Sequence, residues 1–148
     1  MKILFSIGLI FASLARAHAG DFFEKDGFAI DGYDAVSFFE SSGPIKGTQA
    51  ISVTFRGSVF LFSSEDHKKE FLKNPEKYSP QFNGYCAFGL ARGYKAKSEP
   101  GAFSVVKGKL YLNYDLLVRK KWLEKRDDFI EKAEANWPSV KSTTKVYR

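Results

Sequence analysis

Cys86 and His67 are the residues of this chain best suited to chemistry. Cys86 is its only cysteine, and His18 and His67 are its only histidines. A thiolate and a neutral imidazole are ligands for copper and zinc, and a Cys–His pair can also act as nucleophile and base. Nothing about their 19-residue separation specifies that hydrolytic chemistry, so a thiol hydrolase is not favoured. Gly84 and Gly89 flank the cysteine in QFNGYCAFG and suit tight turns that would hold the thiol in place.

The lone thiol of Cys86 also has other interpretations. One cysteine cannot form a disulfide within the chain, so it binds a ligand, reacts, pairs with another chain or is buried. Cys86 can be a small buried apolar residue between Tyr85 and Phe88. His67 can be an ordinary surface residue of the charged segment SEDHKKE. A thiol oxidoreductase is less favoured, because no second cysteine is present to resolve a mixed disulfide.

Residues 1–19 have the pattern of a signal peptide. Lys2 precedes an apolar run over residues 3–14, and Ala17-His18-Ala19 follows as a small-x-small cleavage site. We expect cleavage after Ala19 and a periplasmic or secreted protein, with a retained N-terminal anchor as the alternative. No later apolar run is long enough to span a bilayer, so we expect no stable membrane insertion.

The charge of the remaining chain is mildly basic. Removal of Lys2 and Arg16 with the leader leaves 21 basic and 17 acidic residues, a net charge of +4. Much of the excess lies in VRKKW and KSTTKVYR, which we interpret as solvated surface. Because export is predicted and no recognition motif is present, we expect no nucleic-acid partner.

Two β-hairpins are predicted from strand segments that short glycine-containing turns join. Residues 51–55 alternate, Gly57-Ser58 supplies a turn, and residues 59–62 return. A second hairpin joins residues 103–106 to residues 110–114 through the turn KGK.

Helices are predicted between and after these hairpins. Ser63-Ser64 provides the cap of a short central helix, and Asp34 can cap a short turn near the start of the domain. A long C-terminal helix begins near Asp115 and closes at Trp137-Pro138, with a break near Arg126-Asp127 as an alternative. The predicted fold is therefore a small single α+β domain with two β-hairpins, a short central helix and a long C-terminal helix.

The segment GSVFLFSSEDHKKEFLKNPEKY resembles the YHS domain. That family's usual pattern has a glycine, an aromatic-rich strand ending in F-C-S, a cysteine or histidine about four positions on, and F, P and Y at fixed offsets. The matching positions over these 22 residues are Gly57, Phe60, Phe62, Ser64, His67, Phe71, Pro75 and Tyr78. The flanking segments GYDAVSFF, NGYCAFGLARGY, GKLYLNY and ANWP look like those of exported, stand-alone bacterial YHS proteins. The resemblance implies a YHS-like domain over residues 20–138, and we expect a flexible tail over residues 139–148.

The resemblance also implies a metal site. In YHS domains attached to heavy-metal transport and oxidase proteins, the strand-end cysteine and the cysteine or histidine one turn later are the expected ligands. Ser63 occupies the first of these positions here and His67 the second, and a serine hydroxyl is a poor ligand for a soft metal. Cys86 corresponds to the cysteine of the stand-alone proteins. We therefore expect Cys86 and His67 to bind a copper or zinc ion, with the metal ion or a metal-handling protein as the partner.

Metal handling and a scaffold role are the two functional classes that remain. The chain has no Gly-rich phosphate loop, no G-x-S-x-G, no H-E-x-x-H and no C-x-x-C, so we favour a protein without catalytic activity. The alternative function is a non-catalytic structural or interaction domain that has lost its metal site. Ser63 favours this alternative because it replaces one expected ligand.

Overall fold

The computed structural model describes residues 20–148, so the signal peptide predicted over residues 1–19 lies outside the described residues. In chain order, the elements are β1 (Glu24–Lys25), β2 (Phe28–Ala29), β3 (Thr48–Phe55), β4 (Ser58–Phe62), α1 (Glu65–Lys73), α2 (Pro75–Tyr78), α3 (Ala87–Ala91), β5 (Lys95–Ala96), β6 (Glu99–Val106), β7 (Lys109–Asn113), α4 (Leu116–Glu124), α5 (Arg126–Val140) and β8 (Val146–Tyr147). Helices and antiparallel hairpins together confirm the predicted α+β class.

The first predicted hairpin is confirmed as the antiparallel pair β3–β4. Its turn is Arg56-Gly57, with φ angles of 47° and 76°. Two successive positive φ angles define a type I′ turn, whose twist matches that of the strands it joins. The turn predicted at Gly57-Ser58 is therefore one residue too late. Ser58 instead begins β4, where it is buried and its Oγ accepts a hydrogen bond from the Phe22 N–H at 3.2 Å.

The second predicted hairpin is the antiparallel pair β6–β7. Lys107-Gly108 forms its turn, again with two positive φ angles, 51° and 74°. The pairing extends further than the sequence indicated, because Glu99 lies opposite Asn113 beyond an irregularity in the register. Strand β7 ends at Asn113, and the first C-terminal helix begins shortly after it, with Asp115 as its N-cap.

Two apolar clusters fill the fold on opposite faces of β7. The first packs the two hairpins against α1 and α2 and consists mainly of aromatic residues, including Phe22, Phe38, Phe60, Phe62, Phe71 and Tyr78. The second packs the other helices against β7 and includes Phe82, Leu90, Trp122, Ala133 and Val140. Leu110 and Leu112 belong to the first cluster and Tyr111 to the second. This division follows from the two-residue period of a strand that is buried on both faces.

The predicted long C-terminal helix is divided into α4 and α5. Lys125 separates them with a non-helical backbone, at φ −136° and ψ 46°. Helix α5 continues to Val140 with Pro138 inside it, so the predicted stop at Trp137-Pro138 is too early. Trp122 is fully buried, whereas Trp137 is only partly buried and packs edge-on against Phe82.

The end of the chain is part of the fold. We expected a flexible tail over residues 139–148, but Val146–Tyr147 pairs in parallel with Lys95–Ala96. The Lys95 ammonium donates hydrogen bonds to the Lys141 and Thr143 carbonyls, at 2.6 and 2.7 Å. These carbonyls lie at the C-terminal end of α5, where a cation is favoured. Among residues 20–148, no helix is long and apolar enough to cross a membrane.

Candidate functional site

A buried carboxylate, Asp34, lies at the centre of the main polar cluster. Its side chain is fully buried. Oδ1 accepts a hydrogen bond from the Val36 N–H at 2.9 Å. Oδ2 accepts three: from the Ser63 N–H at 2.8 Å, from the Ser63 Oγ at 2.6 Å and from His67 Nδ1 at 2.7 Å. One carboxylate therefore joins the segment before β3, the end of β4 and the start of α1.

Local sequence explains why Ser63 and His67 face the same carboxylate. Ser64 is the N-cap of α1, and its Oγ accepts a hydrogen bond from the His67 N–H at 3.1 Å. This cap begins the helix directly after β4 and brings His67 beside Ser63, whose Oγ lies 3.5 Å from His67 Nδ1. On the other side, Ser37 Oγ donates to the Asp34 carbonyl at 2.6 Å and accepts from the Ile45 N–H at 2.9 Å, so the Asp34 backbone is also held.

His67 is held between two carboxylates. Its Nδ1 faces Asp34, and its Nε2 lies 3.1 Å from Glu40 Oε1. Burial disfavours the charged imidazolium, but hydrogen bonds and negative charge from Asp34, and then from Glu40, outweigh it, so the pKa of His67 is raised above its ordinary value. The His67 side chain is 19% exposed and that of Glu40 is 44% exposed. The Nε2 side of the ring therefore lies at the protein surface.

The arrangement of Ser63, His67 and Asp34 is not that of a catalytic triad. In a triad, the serine and the aspartate bind opposite nitrogens of the imidazole ring. Here the Ser63 hydroxyl donates to Asp34 itself and lies on the same side of the ring, near Nδ1. Nothing in this geometry moves the serine proton to a base, so Ser63 is a structural hydrogen-bond donor.

Cys86 lies in a different environment. It is 2% exposed and directly precedes α3. Its thiol donates to Asn113 Oδ1 at 3.6 Å, and its backbone N–H donates to the Ala96 carbonyl at 3.0 Å. Burial raises the pKa of the Cys86 thiol, although nearby backbone N–H groups, such as that of Gly89, act in the opposite direction. The thiol form is therefore favoured over the thiolate, which is the form that binds metals and reacts.

Asn113 fixes the position of the thiol. Its side chain is fully buried, and its Oδ1 also accepts a hydrogen bond from the Phe88 N–H at 3.1 Å. Within residues 20–148, its Nδ2 finds no hydrogen-bond partner. This environment agrees with the interpretation of Cys86 as a small buried residue. Through Asn113, the cysteine links β7 to the start of α3.

We expect the Cys86 thiol to resist alkylation in the folded protein. Since the thiol is buried and its pKa is raised, iodoacetamide should modify it at least about a hundredfold more slowly than in denaturant. Intact-mass spectra over time, with and without denaturant, measure this ratio. Equal rates in the two conditions would mean that Cys86 is accessible and available as a ligand.

His67 and Cys86 are not joined by any hydrogen bond in the described part of the chain. The partners of His67 are Asp34, Glu40 and the serines at the start of α1, whereas those of the Cys86 thiol lie on β7 and α3. Over residues 20–148, no three His, Cys, Asp or Glu side chains are arranged to hold a metal ion. The Cys86–His67 metal site stays a prediction.

Sequence reasoning did not find the carboxylate partners of His67. Asp34 was interpreted as a cap, and its Oδ1 does accept a hydrogen bond from the nearby Val36 N–H. Its Oδ2, however, binds residues that are far from it in the sequence, such as Ser63. Glu40 carried no signal beyond its charge. Asp34 lies 33 residues from His67, and only the fold brings the two together.

The fold and this site define a small α+β protein with a buried carboxylate–histidine cluster. The chain matches no protein-family model, no curated protein and no solved structure.

Proposed function

We propose that this protein is exported and handles a divalent metal ion, Zn(II) or Cu(II), with His67 Nε2 and the Glu40 carboxylate as its ligands. The observation that carries the proposal is the hydrogen bond of 2.7 Å between His67 Nδ1 and Asp34. Histidines that bind metals through one ring nitrogen commonly donate the other N–H to a carboxylate, which fixes the tautomer and increases ligand basicity. The resemblance to exported YHS proteins supports the same function.

Glu40 supports the role of His67 Nε2 as the ligand atom. Its Oε1 lies 3.1 Å from Nε2 and accepts a hydrogen bond from the Nε2–H of the imidazolium. A metal ion that displaces this proton would meet an imidazole nitrogen and a carboxylate oxygen, both of which suit Zn(II) and Cu(II). With two ligands from the protein, the remaining coordination positions stay open to water or to a partner, which suits transfer better than permanent structural binding.

Cys86 is not part of the proposed pair of ligands. Its thiol is buried, its pKa is raised and its hydrogen bond goes to Asn113. A site of imidazole and carboxylate is harder than one containing a thiolate, so it favours the divalent ions over Cu(I). The predicted partner, a metal-handling protein, would approach from the exposed side of His67 and Glu40.

We expect titration with Zn(II) to show one site that depends on His67. His67→Ala should abolish binding, and Glu40→Gln should weaken it at least about tenfold, because either change removes a ligand. Binding should also weaken as the pH falls through the raised pKa of His67, since the metal must compete with the Nε2 proton. Calorimetric titrations of the chelator-treated protein at several pH values measure both effects.

Two matched variants act as controls for this titration. Glu131→Gln changes an exposed carboxylate of α5 and should leave Zn(II) affinity unchanged. Cys86→Ser should also leave it unchanged, whereas the predicted Cys86–His67 pair requires a large loss. If wild type and His67→Ala bind Zn(II) and Cu(II) equally, His67 is not a ligand and the proposal is wrong.

A scaffold without metal is the second candidate function. The observation that favours it is that Ser63 and His67, which stand at the two expected ligand positions, both donate hydrogen bonds to Asp34 Oδ2. In that case, Ser63 and His67 form a structural cluster in place of the ligands. The same titration distinguishes the two candidates, since a scaffold binds neither ion through His67.

A further inference from the structure

Helix α4 presents apolar side chains to solvent. Leu116 is 64% exposed, Leu117 is 73% exposed and Leu123 is 41% exposed. Leu116 and Leu117 form the first turn of the helix, directly after the N-cap Asp115, whose Oδ1 accepts the Val118 N–H at 2.8 Å. Two adjacent leucines of this exposure protrude from the surface, and the cap fixes their position.

The buried side of α4 fixes the rotation of the helix. Trp122 is fully buried in the second cluster. Arg119 Nε donates to the Phe103 carbonyl at 2.6 Å and to Ser104 Oγ at 3.0 Å, so this arginine ties the helix to β6. With Trp122 and Arg119 held inward, Leu116 and Leu117 cannot turn into the core without breaking these contacts.

Lysines follow the leucines one turn later. Lys120 and Lys121 are exposed, and each lies four residues after a leucine, on the same side of the helix. Lys125, the residue directly after α4, is also exposed. Within residues 20–148, none of these three lysines forms an ion pair, although Glu124 lies on the same helix.

We propose that α4 docks on the surface of an anionic phospholipid bilayer, with Leu116 and Leu117 entering the interface and Lys120 and Lys121 contacting the headgroups. Binding at a membrane interface draws on apolar side chains buried at the headgroup boundary and on the attraction of basic side chains to anionic lipids, and exposed leucines next to lysines supply both. Long lysine side chains can reach the headgroups while their stems lie against the apolar region. The positive charge of the lysines is complementary to that of anionic lipid.

A lipid surface fits this face better than a protein partner does. The apolar part consists of two protruding leucines, with Leu123 further along the helix beside a pocket whose other lining residues are charged. A stable protein interface buries about 800 Å² on each partner around well-packed anchor residues. A bilayer needs no preformed groove, because lipid chains adapt to protruding side chains. The inference is independent of the metal proposal, since the helix carries neither His67 nor Glu40.

Sedimentation with vesicles tests the docking. We expect the protein to bind vesicles of phosphatidylglycerol and phosphatidylcholine in equal parts, and to be released at high salt. The double variant Leu116→Ser/Leu117→Ser should lose about tenfold in affinity for each leucine. Lys120→Glu/Lys121→Glu should lose at least about fivefold for each lysine. All variants carry the same N-terminus, so any affinity of residues 1–19 for lipid is common to them.

Matched variants separate the docking face from general effects of charge and hydrophobicity. Lys132→Glu/Lys141→Glu makes the same change of net charge at exposed sites outside α4, and Leu72→Ser removes a leucine that is 53% exposed on α1. Both should bind the vesicles as wild type does. Equal binding by the α4 variants and wild type overturns the proposal. So does self-association through the leucines without any binding to lipid, because the occupant would then be a protein.

Discussion

Replacing Asp34 with asparagine is expected to lower the free energy of unfolding by about 3–5 kcal/mol, the cost of breaking a buried ion pair by removing one partner. Asp34 is fully buried and accepts four hydrogen bonds through its two oxygens. An asparagine keeps one acceptor oxygen and turns a donor toward groups that themselves donate. It also removes the negative charge that stabilises the His67 imidazolium. Unfolding in denaturant, with a chelator present, measures the loss.

The pH dependence of this loss has a defined sign. Because the pKa of folded His67 is raised, the His67 contribution to stability is fully present below the unfolded value of about 6.5. It is lost as the pH rises through the folded pKa. The part of the difference between wild type and Asp34→Asn that comes from His67 should therefore shrink at high pH.

Glu40→Gln is the matched control for Asp34→Asn. Glu40 faces the other nitrogen of the same ring but is 44% exposed, so its removal should cost less than about 1 kcal/mol. The contrast isolates burial as the cause of the large effect. If the free energy of unfolding of Asp34→Asn lies within about 1 kcal/mol of that of wild type, the buried carboxylate does not organise this end of the fold.

Replacing Trp122 with alanine is expected to cost about 3–5 kcal/mol. Its side chain is fully buried, and its ring centroid lies 5.5 Å from that of Tyr111 in the second cluster. Alanine would leave a large cavity where α4 packs against the rest of the fold. A lower midpoint in denaturant, with an unchanged slope, is the expected observation.

Two further variants test the origin of this loss. Trp122→Phe keeps an aromatic ring and removes the indole N–H, which finds no hydrogen-bond partner within residues 20–148, so it should cost less than Trp122→Ala. Leu123→Ala changes the neighbouring residue, which is 41% exposed, and should have a small effect. Equal losses for Trp122→Ala and Leu123→Ala would contradict the assignment of the buried face of α4.

Local patterns were sufficient to predict the hairpins. Alternation with period two identified the first strand pair, and Gly57 and Gly108 marked the turns of both hairpins. The turn at Arg56-Gly57 was predicted one residue late, because a type I′ turn requires a positive φ angle at Arg56 as well as at Gly57. A glycine in the sequence indicates that a positive φ angle is possible at position 57, but nothing in the local sequence indicates one at Arg56.

The C-terminal part of the chain depended more on tertiary contacts. The sequence predicted a helix from near Asp115 onward, and both α4 and α5 lie within that range. The break at Lys125 lies next to the one given as an alternative near Arg126-Asp127, whereas the extension of α5 to Val140 was not predicted. The pairing of Val146–Tyr147 with Lys95–Ala96 involves only two residues on each strand, too few for a periodic signal.

The sequence by itself determined the α+β class, the two hairpins and the cap that begins α1, because each depends on residues close together in the chain. Only the tertiary structure decided which groups meet. It set His67 against Asp34, 33 residues away, and the Cys86 thiol against Asn113, 27 residues away. Such contacts depend on how the hairpins and helices pack. Local composition cannot predict a hydrogen bond between residues that lie so far apart in the chain. For this reason, Cys86 and His67, which were predicted to share a metal ion, have separate hydrogen-bond partners in the folded protein.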